Sequence, residues 1–173
     1  MEKGSIVNRV AQSSLVTFDL EKLYQLGPRV EWDIKDQLYQ SLILKEKEFR
    51  SFIKAHDWQQ YKGYNIAIIC SVDAIVPTWA YMLLAVHLAP HANHLVFGDL
   101  KELERSLFQK SLSEIDLNAY RDAKVIIKGC GKFPIPEFAY VEVTRLLQGV
   151  TSSIMYGEPC STVPLYKKTK DRP

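Results

Sequence analysis

The chain has 173 residues, of which 47% are apolar, 24% charged and 11% aromatic, and its formal net charge is +2. That length points to one globular domain, and the apolar share excludes a disordered chain. Near-neutral charge argues against a dedicated nucleic-acid or membrane binder, because no single-signed field exists to recruit a polyanion. The 3 cysteines are too few and too far apart for a disulfide framework. The N-terminus carries charge too early for a signal peptide, and no stretch approaches the roughly 18 apolar residues that cross a bilayer. A cytoplasmic protein with reduced thiols is the expectation.

In chain order, residues 6–10, 15–20 and 29–34 read as short β runs, with Gly27-Pro28 as the turn before the third. The spacing of Leu38, Leu42, Phe49, Phe52 and Ile53 predicts a helix over 36–56, with Lys45 to Glu48 on its wet face. Asn65–Ile69 is a doubly covered strand. A helix then enters through Pro77 and is apolar nearly all round, so it should be deeply packed. His94–Phe97 is the next strand, and Asp99 with Glu102 caps a helix carrying Leu100, Leu103 and Leu107. Lys124–Lys128 is a strand; Pro136-Glu137 opens a helix closed by Gly149; 152–156 is a last strand. The alternation predicts an α/β fold: a mostly parallel four-stranded sheet with helices on both faces, preceded by a short N-terminal β segment and helix. The expected organisation is a single α/β domain over 1–173, with 1–60 leading, 64–165 as the core and 166–173 as a frayed basic tail. No internal repeat stands out.

Ligands of open α/β sheets bind outside the carboxyl ends of the strands. All three cysteines fall on such tips: Cys70, Cys130 and Cys160. With strand order 2-1-3-4 and strands about 4.8 Å apart, the three tips lie side by side, and their thiolates suit one zinc ion or an iron–sulfur cluster. Asp73, Asp99 or Glu158 would supply an oxygen ligand or a nearby polar group. Against this stand two other readings: inert packing thiols, and a single reactive cysteine, Cys130, with Lys128 or Lys132 lowering its pKa. Dinucleotide, phosphate-loop, deaminase and CxxC signatures are all absent or incomplete. His87, His91 and His94 read as a helix end and a loop, because Pro90 interrupts them, and His56 as a cation in the last turn of its helix.

The segments Leu42-Ile43-Leu44-Lys45-Glu46-Lys47, Val72-Asp73-Ala74-Ile75-Val76-Pro77-Thr78-Trp79-Ala80-Tyr81-Met82-Leu83-Leu84, Phe97-Gly98-Asp99-Leu100 and Gly157-Glu158-Pro159-Cys160-Ser161-Thr162-Val163-Pro164 resemble the bacterial domain-of-unknown-function 2480 family over nearly the whole chain. That family carries no established activity. Its members are often encoded near iron–sulfur assembly factors, so the resemblance implies an accessory role in cluster assembly. Gly129-Cys130 followed by Pro134, Pro136 and Glu137 is similar to the cluster-ligating tip in the small subunits of complex I and nickel–iron hydrogenases, although only Cys130 carries over. The leading expectation is therefore metal or cluster binding, with iron–sulfur assembly proteins as partners. A single-cysteine enzyme and a non-catalytic, homodimeric interaction module are its rivals.

Overall fold

A computed structural model of the chain describes residues 15–129 and 131–169. The β run expected at 6–10 lies outside these residues, as does Cys130. The strands are β1 Leu15–Asp19, β2 Arg29–Asp33, β3 Leu38–Tyr39, β4 Ile43–Leu44, β5 Asn65–Ile69, β6 His94–Phe97, β7 Lys124–Lys128, β8 Ser153–Glu158 and β9 Ser161–Lys167. The helices are α1 Glu46–Ala55, α2 Thr78–Leu88, α3 Leu100–Ser113 and α4 Glu137–Gln148, and single 3-10 turns follow β1, β2, α1 and α3. The fold is α/β with a mostly parallel four-stranded sheet, as the alternation predicts.

The strand order is a correction. β5, β6, β7 and β8 do not form one sheet. They divide between a three-stranded parallel sheet, β2-β5-β6, and a four-stranded sheet, β1-β7-β8-β9, in which only β9 is antiparallel. The physical reason lies in the two central strands. β5 and β7 are apolar on both faces and need a neighbour on each edge. β2 and β1, read as a preliminary β segment, supply those neighbours, with Trp32 beside Ile68 and Phe18 beside Ile127. Two compact units result, one of residues 25–107, the other of residues up to 24 together with 108 onward.

In the 25–107 unit, Ile66 and Ile68 pack with Phe49 and Ile53 of α1 and with Ala80, Leu84 and Leu88 of α2. Ala67, pointing the other way, packs with Leu103 and Leu107 of α3, so helices cover both faces of this sheet. In the other unit, Val125, Ile127, Phe18 and Ile154 pack with Phe108 and Leu112 of α3 and with Ala139, Val143 and Leu147 of α4.

Three local expectations change. The helix predicted from 36 begins only at Glu46, because Gln40 and Ser41 adopt positive φ (53° and 56°) and turn the chain into the β3–β4 hairpin. Leu38 and Leu42, spaced like helix positions, belong to that hairpin. α2 is not deeply packed all round, since Met82 and Val86 are 64% and 67% exposed. β9 reaches Lys167, with Pro164 beside a register shift in the ladder, where a missing N–H is tolerated.

The chain also repeats itself, contrary to the reading of the sequence. A constant shift of 59 positions carries the 3-10 turn Trp58–Tyr61 onto Leu117–Tyr120 and β5 onto β7. The same shift carries the starts of α2 and β6 onto those of α4 and β8. Asp57 and Asp116 cap their turns alike, accepting from the amides of Gln59 and Asn118. Gly63 and Asp122 both adopt positive φ, and their amides donate to His91 and Val150 in the same frame. Core residues follow: Phe49 and Phe108, Ile53 and Leu112, Ala80 and Ala139, Leu84 and Val143, Leu88 and Leu147. The edge strands match at a shift of 14, and Asp19 and Asp33 each cap the 3-10 turn that follows. Each unit is one copy, with the 25–107 copy inserted between β1 and the rest of the other. Sequence identity between copies is confined to a few residues, such as Pro77-x-x-Ala80-Tyr81 and Pro136-x-x-Ala139-Tyr140, which is why the repeat escapes inspection.

Candidate functional site

Duplication makes each copy a reference for the other. Where both bury the same kind of residue, packing accounts for it. Where they diverge toward polar groups, packing does not. The largest such divergence surrounds β2.

There Val30, Glu31, Trp32 and Asp33 of β2, Asp36 and Gln37 of the following turn, Phe52 of α1 and His56 just after it, and Tyr61 line an open cavity of about 240 Å³. Its aromatic wall is tied together by hydrogen bonds. Trp32 Nε1 donates to the Tyr61 hydroxyl at 3.1 Å, and that hydroxyl lies 3.1 Å from His56 Nε2. The Gln60 amide approaches the same nitrogen at 3.2 Å, an arrangement in which Nε2 accepts from both. The His56 ring stacks on Tyr61 at 5.7 Å and packs against Phe52 at 4.8 Å. Burial raises the Tyr61 pKa, against a smaller lowering by the Trp32 bond, so the phenol stays protonated at neutral pH.

Three acids line the cavity as well. Asp33 sits at the carboxyl end of β2, where its Oδ1 accepts from the amides of Lys35 (3.0 Å) and Ser71 (3.2 Å). Lys35 Nζ stands 3.2 Å from its other oxygen. Burial raises its pKa, but the Ser71 hydroxyl, the two amides and Lys35 outweigh that and hold it below the usual carboxylate value. Glu31 and Asp36 are exposed on the rim.

In the other copy the same positions are Thr17, Lys22, Leu23, Ser111 and Ile115, in place of Glu31, Asp36, Gln37, Phe52 and His56. Leu23, Ile115 and Tyr120 pack against the core there, and Ser111 Oγ donates to the Leu23 carbonyl. Both copies keep an aromatic pair there, Phe18 with Tyr120 and Trp32 with Tyr61, but only the 25–107 copy adds Glu31, Asp36, Phe52 and His56.

Beside Asp33 lies Cys70, at the tip of β5. Its thiol donates to the Val72 carbonyl at 3.2 Å and hydrogen-bonds with the Tyr81 hydroxyl of α2. Burial, then the neighbouring Cys70 and Asp33, raise the Tyr81 pKa. The sister position is Gly129, where a Cβ would lie 2.7 Å from the Tyr140 hydroxyl, so that ring takes the space the thiol occupies in its counterpart.

The expected site residues are distributed as follows. Cys70, Asp73 and Asp99 belong to the 25–107 unit, Glu158 and Cys160 to the other, and Cys130 lies outside the described residues. Asp73 is exposed in the loop after β5; Asp99 caps α3, accepting from the Glu102 amide at 2.9 Å. Cys160 is a free, exposed thiol in the β8–β9 turn, and Cys70 is also free. Among the described residues, no group of three His, Cys, Asp or Glu side chains is placed to hold one ion. Lys128 is paired with Asp19 at 3.4 Å, and Lys132 lies 5.4 Å from the Phe133 ring centre. The cavity residues Glu31, Asp36, Phe52, His56 and Tyr61 were missed by reading the sequence for cysteines. The signal that finds them is the shift of 59 between the two sets of elements, which shows in the structure and barely in the sequence.

The architecture is thus that of a duplicated α/β protein in which one copy has kept a polar, aromatic cavity. The chain belongs to the DUF2480 family of proteins of unknown function, whose pattern matches residues 4–168. No curated protein and no solved structure matches it. Among the described residues, no helix is long and apolar enough to cross a membrane.

Proposed function

We propose that the chain is a binding protein whose 25–107 unit takes a small organic cation, an ammonium or guanidinium group, in the cavity beside β2. The observation that carries this reading is that Glu31 and Asp36 stand where the other copy has Thr17 and Lys22, and line one cavity with Asp33, Trp32, Phe52 and Tyr61. Carboxylates attract a cation, and aromatic faces add an attraction that neutral ligands of the same shape do not receive. A cavity of about 240 Å³ suits a group the size of one side chain rather than a nucleotide. Titration with butylammonium, methylguanidinium and tetramethylammonium, followed by amide chemical shifts, tests it. Saturable binding with a Kd of about 1 mM or tighter is expected, weakened about tenfold in Asp36→Asn and absent for uncharged isosteres. Equal binding of butanol and butylammonium, or none of either, overturns it.

A metal or iron–sulfur site on Cys70, Cys130 and Cys160, serving cluster assembly, is the rival reading. Its support is that Cys70 and Cys160 are free thiols at turns of the chain. Zinc or iron bound at one equivalent per chain after anaerobic purification, and lost in Cys160→Ser, would favour it. A metal content unchanged by that substitution removes it.

A further inference from the structure

We infer that the chain forms a two-fold homodimer in which β6 of one copy pairs antiparallel with β6 of a second, and the α2 flanks meet beside that seam. The inference is independent of the cation site. It rests on what the sister unit does with the equivalent strand and helix.

In that unit the far edge of β8 is covered: β9 pairs with it antiparallel from Ser153↔Lys167 to Glu158↔Ser161. Among the described residues no strand pairs with the far edge of β6, the counterpart of β8. The amides of His94 and Gly98 point to β5, donating to the carbonyls of Tyr64 and Ile68. By alternation, the amides of Leu95 and Phe97 face the open edge. An edge of this kind templates a further strand unless something blunts it. Neither a proline nor a charged side chain occurs in β6.

The side chains follow the same pattern. Phe97 and Tyr81 meet edge to face at 5.0 Å, as Tyr156 and Tyr140 do at 5.8 Å. Beside the latter pair stands Leu165 of β9, which walls the space along α4. Among the described residues no strand stands beside the former, and Phe97 is left 67% exposed. α4 exposes Val141, as α2 exposes its counterpart Met82, but it also carries Glu137 and the ion pair Glu142–Arg145, with Arg145 at the place of Val86. α2 turns out Met82 and Val86 and carries no Asp, Glu, Lys or Arg from Thr78 to Leu88. A helix with no formally charged residue belongs against a partner, and Met82, Val86 and Phe97 are the exposed apolar groups beside the open strand edge.

The occupant follows from charge and symmetry. A strand and helix without formal charge meet their own copies with no like-charge repulsion, while a charged partner finds nothing to pair with. Antiparallel self-pairing is isologous, so each contact occurs twice, and it gives β6 the kind of neighbour that β8 already has. The small Ala85 and Ala89 on the flank of α2 allow the helices to approach closely.

Sedimentation of the full chain tests this. A dimer is expected at about 10 µM. Phe97→Pro removes an outward amide while leaving the bonds to β5, and Met82→Glu with Val86→Glu sets like charges face to face. Each should weaken dimerisation about 100-fold. The helix variant changes only exposed positions, so it decides the matter even if Phe97→Pro fails to fold. A monomeric wild-type chain at about 100 µM, or a dimer that the folded variants leave intact, overturns the inference.

Discussion

Phe49 and Phe108 stand at the same place in two copies of one unit, and both are buried to about 1% exposure. His56 and Ile115 also stand at one place, yet the first lines an open cavity and the second packs against a core. The comparison separates two demands on a residue. Positions that fill the space between helix and sheet stay apolar in both copies, since a methylene gained or lost there is felt throughout close packing. Positions that need not fill space have drifted apart, and they cluster at the β2 cavity, the tip of β5, the flank of α2 and the edge of β6.

The correspondence can be broken most severely in the cores. Phe49→Ala and Phe108→Ala should each cost about 3–5 kcal/mol, measured by urea unfolding. If one substitution costs less than half the other, the two positions are not equivalent in energy and the match is only one of shape.

A smaller effect depends on pH. Asp33, held below its ordinary pKa, contributes stability that is fully present above about pH 4. That contribution is lost as the pH falls through the lowered folded-state value. Asp33→Asn should therefore cost about 1–3 kcal/mol at pH 7, and the gap to wild type should narrow toward pH 2 in acid-dependent unfolding. A gap that stays constant with pH would mean that the hydrogen-bonding shape, not the charge, stabilises that turn.

The mildest test concerns backbone. Gly63 (φ 79°) and Asp122 (φ 55°) are sister positions, and nothing lies within 4 Å of a Cβ placed on Gly63. Gly63→Asp should change stability by no more than about 0.5 kcal/mol, whereas Gly63→Val, whose branched Cβ resists positive φ, should cost more than about 1 kcal/mol. Equal costs for both would sink the equivalence of these turns.

Much of the fold was legible. Asn65–Ile69 and Lys124–Lys128 were read to the residue, because runs apolar on both faces and bounded by turn residues leave little choice. The capping of α3 by Asp99 and the entry of α2 after Pro77 followed from local chemistry. What failed was non-local. Nothing in residues 15–19 announces that they pair with 124–128 rather than leading a separate segment, because strand partners are chosen by shape and burial over long distances. The β3–β4 hairpin was hidden because Gln40 and Ser41 are unusual residues for positive φ. For the candidate site, Cys70 and its strand tip were legible, while the acid-lined cavity was not. His56 taken alone is a residue at a helix end, and it becomes informative only beside Ile115.

The insertion of one unit within the other sets a schedule for synthesis. β2 meets β5 after a few tens of residues, so the 25–107 unit can complete its sheet early. β1 emerges before either, yet its partner β7 follows only after that whole unit has been made, more than a hundred residues later. At about 5–20 residues per second, β1 waits roughly 5–20 s with Val16 and Phe18 unpaired. Of β1 and β2, the one that leaves the ribosome earlier is thus the later to find its sheet, and chaperone contact should concentrate on it during that interval.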